Sequence, residues 1–190
     1  GLVGGSRIDG ELSRSDDQAA SWQLVNLPEG YNAPNDLIYD HDEPSRMYLS
    51  CWPTEVRSVE PWTEVNGGLL RTEDGGETWV QVFEESAHVY AGAVDPNNSS
   101  VVIINTFNNG AFRSENRGES WYRLEGYNFK WGYRPFFDPH NPGMIYLTTF
   151  GGGIFHGPDR GEPGAFEDIE NDQGFRWQNY TGGANLVPSL

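Results

Sequence analysis

The stretch Thr72-Glu73-Asp74-Gly75-Gly76-Glu77-Thr78-Trp79 has a copy on each side of it in this chain of 190 residues. The earlier copy is Ser15-Asp16-Asp17-Gln18-Ala19-Ala20-Ser21-Trp22, and the later one is Ser114-Glu115-Asn116-Arg117-Gly118-Glu119-Ser120-Trp121. Each copy reads hydroxyl, any residue, Asp or Asn, any residue, a small residue, any residue, hydroxyl, Trp. A fourth, eroded copy is Gly157-Pro158-Asp159-Arg160-Gly161. The chain is therefore built from internal repeats.

The residue types in this pattern predict a turn between two strands. A short Asp or Asn side chain can accept backbone N–H groups two or three residues further on and so close a turn. The small fifth residue tolerates a positive φ when it is Gly. The hydroxyls cap backbone groups, and the Trp returns to bury a large apolar surface as the next strand begins.

A second marker runs in phase with the first. The aspartates Asp40, Asp95 and Asp138 each end an alternating strand, precede a turn rich in Pro and Asn, and are followed by another strand. Both markers share a period of roughly 43 residues, apart from one long insertion. A period of this size with four strands in each unit predicts an all-β fold, a β-propeller of four-stranded antiparallel blades, of which about three and three-quarter are present.

We expect one propeller segment over residues 1–190, with blade units at roughly 1–30, 31–86, 87–126 and 127–183. In the third unit the predicted strands cover 88–94, 100–107, 110–114 and 120–124. The first unit begins in mid-blade at Gly1 without a Met, which favours a portion of a longer propeller with further blades upstream. In the alternative, residues 184–190 supply a closing strand; otherwise they are a tail.

Composition excludes several classes of function. The formal net charge of −16, with 28 acidic and 12 basic residues, argues against binding to nucleic acids or anionic membranes. The longest aliphatic run, Val101-Val102-Ile103-Ile104, is too short for a membrane span. Cys51 is the single cysteine, and we expect it to be a buried thiol. No metal-ligand spacing is present, and no cofactor is indicated.

The three turns resemble the Asp-box, or BNR, repeats of sialidase-like and xyloglucan-hydrolase-like β-propellers and of sortilin-type receptors. The phrase from Phe137-Asp138-Pro139 to Gly151-Gly152-Gly153 is similar to blades of large secreted bacterial BNR-repeat proteins. The resemblance implies a C-terminal portion of a propeller that is secreted, on the cell surface or periplasmic. It assigns structural roles to Ser15, Asp17, Trp22, Thr72, Asp74, Gly76, Trp79, Ser114, Asn116, Gly118 and Trp121. Such repeats occur in enzymes, receptors and assembly factors alike, so they do not define an activity.

Strand order divides the loops between two faces of the blades. In an antiparallel blade the one-to-two and three-to-four turns lie at one end, and the two-to-three and interblade loops lie at the other. The second face holds the irregular stretches 52–64 and 126–134, which are rich in aromatic residues. Their rings either cover the core or form an exposed ligand platform. The candidate ligand-binding residues are Trp52, Trp62, Tyr127, Phe129, Trp131, Tyr133 and Arg134.

The sequence offers little support for a catalytic site in this chain. A glycosidase needs two carboxylates across the scissile bond, and Glu55, Glu60 and Glu64 are candidates by location only. In the xyloglucan-hydrolase family a catalytic Asp precedes the Gly pair that leads into strand three, and the corresponding positions here are Phe107 and Phe150. The sialidase arginine triad is not recognisable.

The preferred function is therefore a secreted or surface module that binds a carbohydrate or a protein partner. One alternative is a fragment of a polysaccharide-active glycoside hydrolase whose catalytic acids lie outside this chain. Another is an architectural protein that assembles with copies of itself through exposed blade edges.

Overall fold

The computed structural model describes residues 10–56, 63–107, 109–124, 127, 132–150 and 154–157. For residues 54–56, 63–65 and 154–156 the structure describes the backbone. Every regular element in the described part of the chain is a β-strand, and the chain divides into two units, residues 1–89 and 90–190. Among the described residues no helix is long and apolar enough to cross a membrane.

The first unit contains one four-stranded antiparallel sheet and two small strand pairs. The large sheet has the order β3-β4-β7-β8 and consists of Pro34–Tyr39, Met47–Cys51, Gly68–Thr72 and Val80–Phe83. The first strand pair is β1 (Ser13–Arg14) with β2 (Gln23–Leu24). The other is β5 (Thr54–Val56) with β6 (Thr63–Val65), which is inserted between β4 and β7.

The second unit contains two sheets with the same meander order. One has the order β12-β11-β10-β9 and consists of Val89–Asp95, Asn98–Thr106, Ala111–Ser114 and Tyr122–Arg123, its first strand beginning at the last residue of the first unit. The other has the order β13-β14-β15 and consists of Gly132–Phe137, Ile145–Thr149 and Ile154–Gly157.

The strands of the third predicted blade agree with the structure to within two residues at every end. The stretch 52–64, in contrast, was expected to be an irregular loop and contains the hairpin β5–β6. The sequence pattern that indicates this hairpin is short, because each of its strands, Thr54-Glu55-Val56 and Thr63-Glu64-Val65, has only three alternating residues. The predicted blade boundaries themselves remain predictions.

Each unit has its own apolar core, built mainly from the middle strands of its sheets. In the second unit the core consists of Ile103, Ala111, Leu124, Tyr127, Ile145 and Leu147. In the first unit it consists of Tyr31, Leu49, Cys51, Leu70 and Trp79. The thiol of Cys51 is fully buried, as expected, and burial raises its pKa to about 12. At neutral pH it is therefore a protonated and unreactive group.

Candidate functional site

The repeated turn is closed by its own side chains. In the middle copy Thr72 Oγ1 donates to Asp74 Oδ1 at 2.7 Å and accepts the Gly76 N–H at 3.0 Å. Asp74 in turn accepts the N–H of Thr78 at 2.9 Å and its hydroxyl at 2.6 Å. The Asp side chain thus reaches four residues along the chain and not the two or three that were expected, because the intervening residues form a full loop around it.

The other two copies have the same geometry. Asp17 accepts the N–H of Ser21 at 2.8 Å and its hydroxyl at 2.6 Å. In the third copy Asn116 Oδ1 accepts the Ser120 N–H at 2.9 Å, and its Nδ2 donates to the Ser120 hydroxyl at 2.9 Å. An amide therefore replaces the carboxylate without loss of either contact.

Two consecutive residues of each turn have a positive φ. The angles are 74° and 97° at Gly75 and Gly76, 58° and 70° at Gln18 and Ala19, and 61° and 88° at Arg117 and Gly118. The sequence predicted this conformation only for the fifth position of the pattern. Gln18, Ala19 and Arg117 adopt it although they carry a Cβ, which costs conformational energy.

The tryptophans of the turns differ in burial. Trp79 is 8% exposed and donates from its indole N–H to the Gly76 carbonyl at 3.1 Å. The Trp121 indole makes the same bond to Gly118 at 3.0 Å. Trp22 is 63% exposed, so its predicted burial is wrong in this structure. Trp22 directly precedes β2, which pairs only with β1 among the described residues, so a full blade does not cover the ring there.

Both kinds of turn lie at the same end of their sheet, as the antiparallel order requires. The Gly75 N–H donates to the Ser45 carbonyl at 2.9 Å in the first unit. The Arg117 N–H donates to the Ser100 carbonyl at 2.9 Å in the second. Hydrogen bonds within and between the turns therefore hold this end of the sheets together.

The other end of the second unit carries a cluster of four aromatic rings, formed by Tyr90, Phe107, Tyr133 and Phe150; we call it the aromatic cluster. Tyr90 lies near the start of β9, and Tyr133 near the start of β13. Phe107 and Phe150 directly follow β10 and β14. In two successive sheets, therefore, strand one begins and strand two ends with a ring.

The rings pack mainly edge to face. The Tyr90 ring centroid lies 4.6 Å from that of Phe150 and 5.0 Å from that of Tyr133. The Tyr133 and Phe150 centroids are 5.1 Å apart, and the Phe107 centroid lies 6.3 Å from that of Phe150. These separations are those of favourable aromatic pairs. The cluster is therefore a pre-formed surface rather than a set of independent side chains.

The aromatic cluster is partly open to solvent. Tyr133 and Phe150 are each 41% exposed, whereas Tyr90 and Phe107 are half-buried beneath them. Partial burial raises the pKa of Tyr90, and the neighbouring Tyr133 adds to this effect. The Tyr90 hydroxyl therefore stays neutral near pH 7.

The predicted ligand-binding residues lie in different environments. Tyr133 belongs to the aromatic cluster, and Arg134 follows it as a half-buried residue whose backbone N–H and carbonyl both bond the Thr148 hydroxyl at 2.9 Å. Trp52 is half-buried in the first unit, with its ring 5.2 Å from that of His88. Trp62, Phe129 and Trp131 lie outside the described residues.

Tyr127 was named as a candidate ligand-binding residue, but of the two alternatives for the loop aromatics it follows the one in which the ring covers the core. It is 2% exposed and lies in the core of the second unit. Burial raises the pKa of its hydroxyl to about 12. Tyr127 therefore covers the core and does not contribute to an exposed surface.

The carboxylate candidates are defined only by backbone register. Glu55 and Glu64 occupy directly paired positions of the β5–β6 hairpin, and Glu60 lies outside the described residues.

Sequence reasoning missed the aromatic cluster as a unit. It noted Phe107 and Phe150 only for the Asp that they replace, and it did not single out Tyr90. The available signal was that Phe107 and Phe150 occupy equivalent positions, each directly after the second strand of its sheet.

No protein-family model matches the chain, and no curated protein matches it in sequence. Solved structures do match. The GH74 xyloglucanase from Xanthomonas campestris aligns over 93% of this chain and 28% of its own, with a TM-score of 0.66 and 17% identity. The GH74 enzyme of Niastella koreensis aligns over 80% and 26%, with a TM-score of 0.62 and 22% identity. YCF48 bound to D1 peptide aligns over 82% and 43%, with a TM-score of 0.50 and 16% identity.

These similarities establish the fold. Together with the antiparallel sheets, they confirm the predicted all-β class and identify the chain as a partial β-propeller of about three to four blades. The chain spans less than half the length of each of the three structures. At these identities the similarity extends to the fold alone, because one propeller fold supports many functions.

Proposed function

We propose that this propeller segment is a binding module that takes a carbohydrate on its aromatic cluster. The observation that carries the proposal is the set of four packed rings at the loop end of the second unit, with Tyr133 and Phe150 each 41% exposed. Sugar rings present flat C–H faces, and an exposed aromatic ring offers a complementary apolar surface.

The packing of the cluster favours binding. Tyr and Phe side chains have few rotatable bonds, so they contribute contact area at low cost in conformational entropy. Each ring of the cluster is also held by at least two others, which reduces the freedom that would be lost when a ligand binds.

The negative charge of the chain limits the class of polysaccharide that we expect it to bind. A formal net charge of −16 repels polyanions, so uronate-rich or sulfated polysaccharides are disfavoured. We therefore expect a neutral polysaccharide. Such a ligand is consistent with a secreted, surface or periplasmic location, which the Asp-box resemblance also implies.

The structural neighbours support this proposal in part. Two of them carry the name of a polysaccharide-active family, and one is called a xyloglucanase. The third was solved with a bound peptide, which keeps a protein partner as the competing ligand class.

The test is a binding measurement with matched aromatic variants. Neutral polysaccharides, acidic polysaccharides and a peptide array are screened first, and affinities are then measured by isothermal titration calorimetry. Tyr133→Ala and Phe150→Ala should each weaken binding of the neutral polysaccharide about tenfold, because each removes a contact worth roughly 1.4 kcal/mol. Phe136→Ala is the control, since Phe136 lies on the same strand and is 46% exposed.

The outcome separates the three functional classes. Binding of neutral glycans that is lost in both variants and kept in the control supports the proposal. Peptide binding with the same pattern would replace the ligand by a protein. If the wild-type chain binds neither class and forms stable oligomers in light scattering, the architectural role is correct and the proposal is wrong.

A fragment of a glycoside hydrolase is the second candidate, and the GH74 neighbours favour it. Phe107 and Phe150 stand where the xyloglucan-hydrolase resemblance places the catalytic Asp, so we expect this chain alone to release no reducing ends from polysaccharides. Release that disappears in Glu55→Gln, Glu60→Gln or Glu64→Gln would instead make the chain an enzyme.

A further inference from the structure

We infer that Asn105 is a positioning residue of the aromatic cluster, and that its buried side-chain amide sets the spacing between the strands that present the rings. The effect of Asn105 on ligand binding rests on the proposed function, whereas its effect on the ring geometry can be tested without a ligand. Asn105 lies near the end of β10 in the second unit and is fully buried.

The Asn105 amide connects the two sheets of the second unit. Its Nδ2 donates to the Thr148 carbonyl on β14 at 3.3 Å and to the Tyr127 hydroxyl at 3.4 Å. The same side chain packs directly on Gly132 at the start of β13, where an added Cβ would overlap the amide oxygen. One side chain therefore touches β14, β13 and the buried Tyr127 at once.

Each of these contacts is close in sequence to a ring of the aromatic cluster. Phe107 is two residues beyond Asn105, Phe150 is two residues beyond Thr148, and Tyr133 directly follows Gly132. The backbone at these points has little freedom, because all three segments are hydrogen-bonded strands. A change in the amide contacts thus alters the separation of the three rings, which is 5.1 Å for Tyr133 and Phe150 and 6.3 Å for Phe107 and Phe150.

An amide is an unfavourable choice for packing alone. Its Oδ1 is buried without a hydrogen-bond partner among the described residues, which costs desolvation energy that an apolar side chain would avoid. Leu has a similar size and would fill the same space. Leu cannot donate a hydrogen bond to the Thr148 carbonyl. This bond fixes the position of β10 relative to β14, and fixing that position is the role we assign to Asn105.

The test uses Asn105→Leu combined with Tyr127→Phe. The second change removes the hydroxyl that Asn105→Leu leaves without its donor, so stability is largely recovered while the link to Thr148 stays broken. Nuclear Overhauser effects between the rings of Tyr90, Tyr133 and Phe150 report the geometry in the absence of any ligand. Calorimetry with the neutral polysaccharide then reports its consequence.

We expect the double variant to fold, to lose or weaken the inter-ring effects, and to bind the polysaccharide about tenfold less tightly. Gly132→Ala should change the ring signals in the same way, because it displaces the same amide. Ile103→Val is the control: Ile103 is fully buried on the same strand, and its truncation should lower stability but leave the ring signals unchanged.

Unchanged inter-ring effects in the double variant or in Gly132→Ala would overturn the inference and leave Asn105 as a core residue only. If Asn105→Leu prevents folding, Asn105→Ser is the substitute, since its hydroxyl is too short to reach Thr148. A wild-type chain that binds no polysaccharide would refute the proposed function, while the ring signals would still decide the role of Asn105.

Discussion

Asp74 closes its turn as a carboxylate, whereas Asn116 closes the equivalent turn as an amide. The hydroxyl of Thr78, and then its backbone N–H, hold the pKa of Asp74 at about 2, below the ordinary value of 3.8. In its own turn Asp17 accepts the hydroxyl and the backbone N–H of Ser21, the equivalent residue, and its pKa is also about 2. These two turns are therefore stabilised by ionised groups, and the third is insensitive to pH in this range.

Asp74→Asn should reproduce the geometry of the Asn116 turn and remove its dependence on acid. Since the folded pKa is lowered, the carboxylate contributes its full stability above about pH 4 and loses it as the pH falls through about 2. The melting temperatures of the wild type and the variant, measured from pH 7 to pH 2, should converge on acidification. A difference that stays constant with pH would contradict the assignment, and Asp74→Ala, which loses both bonds to Thr78, should be less stable at every pH above 4.

Ala19 and Gly76 occupy the same position of the turn, with φ of 70° and 97°. Gly76→Ala should lower the free energy of unfolding by about 1 kcal/mol, because a Cβ is disfavoured at positive φ. The added Cβ would meet only an ordinary contact with Trp79, at 3.5 Å, so conformation and not collision decides the result. Ala19→Gly should raise stability or leave it unchanged. Urea unfolding of both variants checks this pair, and a stabilising Gly76→Ala would refute the strain argument.

At the scale of the element, Arg46 ties the β3–β4 turn to the β7–β8 turn. Its Nη1 donates to Asp40 Oδ2 at 2.8 Å, and its Nε donates to Glu73 Oε2 at 2.8 Å. The Asp40 side chain is fully buried and the Arg46 side chain is 10% exposed, whereas Glu73 is 45% exposed. The bond to Asp40 is thus the one shielded from water. Asp40 Oδ1 also accepts the Asp42 N–H at 2.9 Å, so this residue organises its own turn as well.

Arg46→Ala should destabilise the first unit by about 3 kcal/mol, because it leaves the carboxylate of Asp40 buried without its cation. Glu73→Ala should cost less than about 1 kcal/mol, because the carboxylate that pairs with Arg46 and Arg71 is 45% exposed. Chemical denaturation of the two variants distinguishes the buried link from the exposed one. Equal losses in both variants would show that the shielding of Asp40 is not what matters.

The strands of the large sheets were predictable from sequence because each is a short alternating or apolar run next to a turn signal. The burial of Tyr127 could not be predicted, for the opposite reason. It lies in a stretch without periodicity, where nothing local distinguishes a ring that faces the core from one that faces solvent. Trp22 shows the same limit, since its pattern matches that of Trp79 and its burial does not.

At the scale of the whole molecule, the net charge of −16 and the propeller fold act on different aspects of function. The charge bears on the proposed ligand, because it would repel polyanions, whereas the fold brings the aromatic cluster together at one end of the second unit. The chain spans roughly a quarter of the length of the two GH74 structures. Their chemistry is therefore not transferred to this chain, and the proposed function rests on the aromatic cluster instead.

The sequence by itself determined the turns, most of the strands and the propeller class. Each turn is closed by bonds between residues no more than four apart, and such local contacts repeat wherever the pattern repeats. Only the tertiary structure decided the aromatic cluster, the burial of Tyr127 and the contacts of Asn105. The four rings come from positions 90, 107, 133 and 150, and their contact depends on the register of two sheets packed against each other. That register is set by long-range packing, which no local pattern encodes.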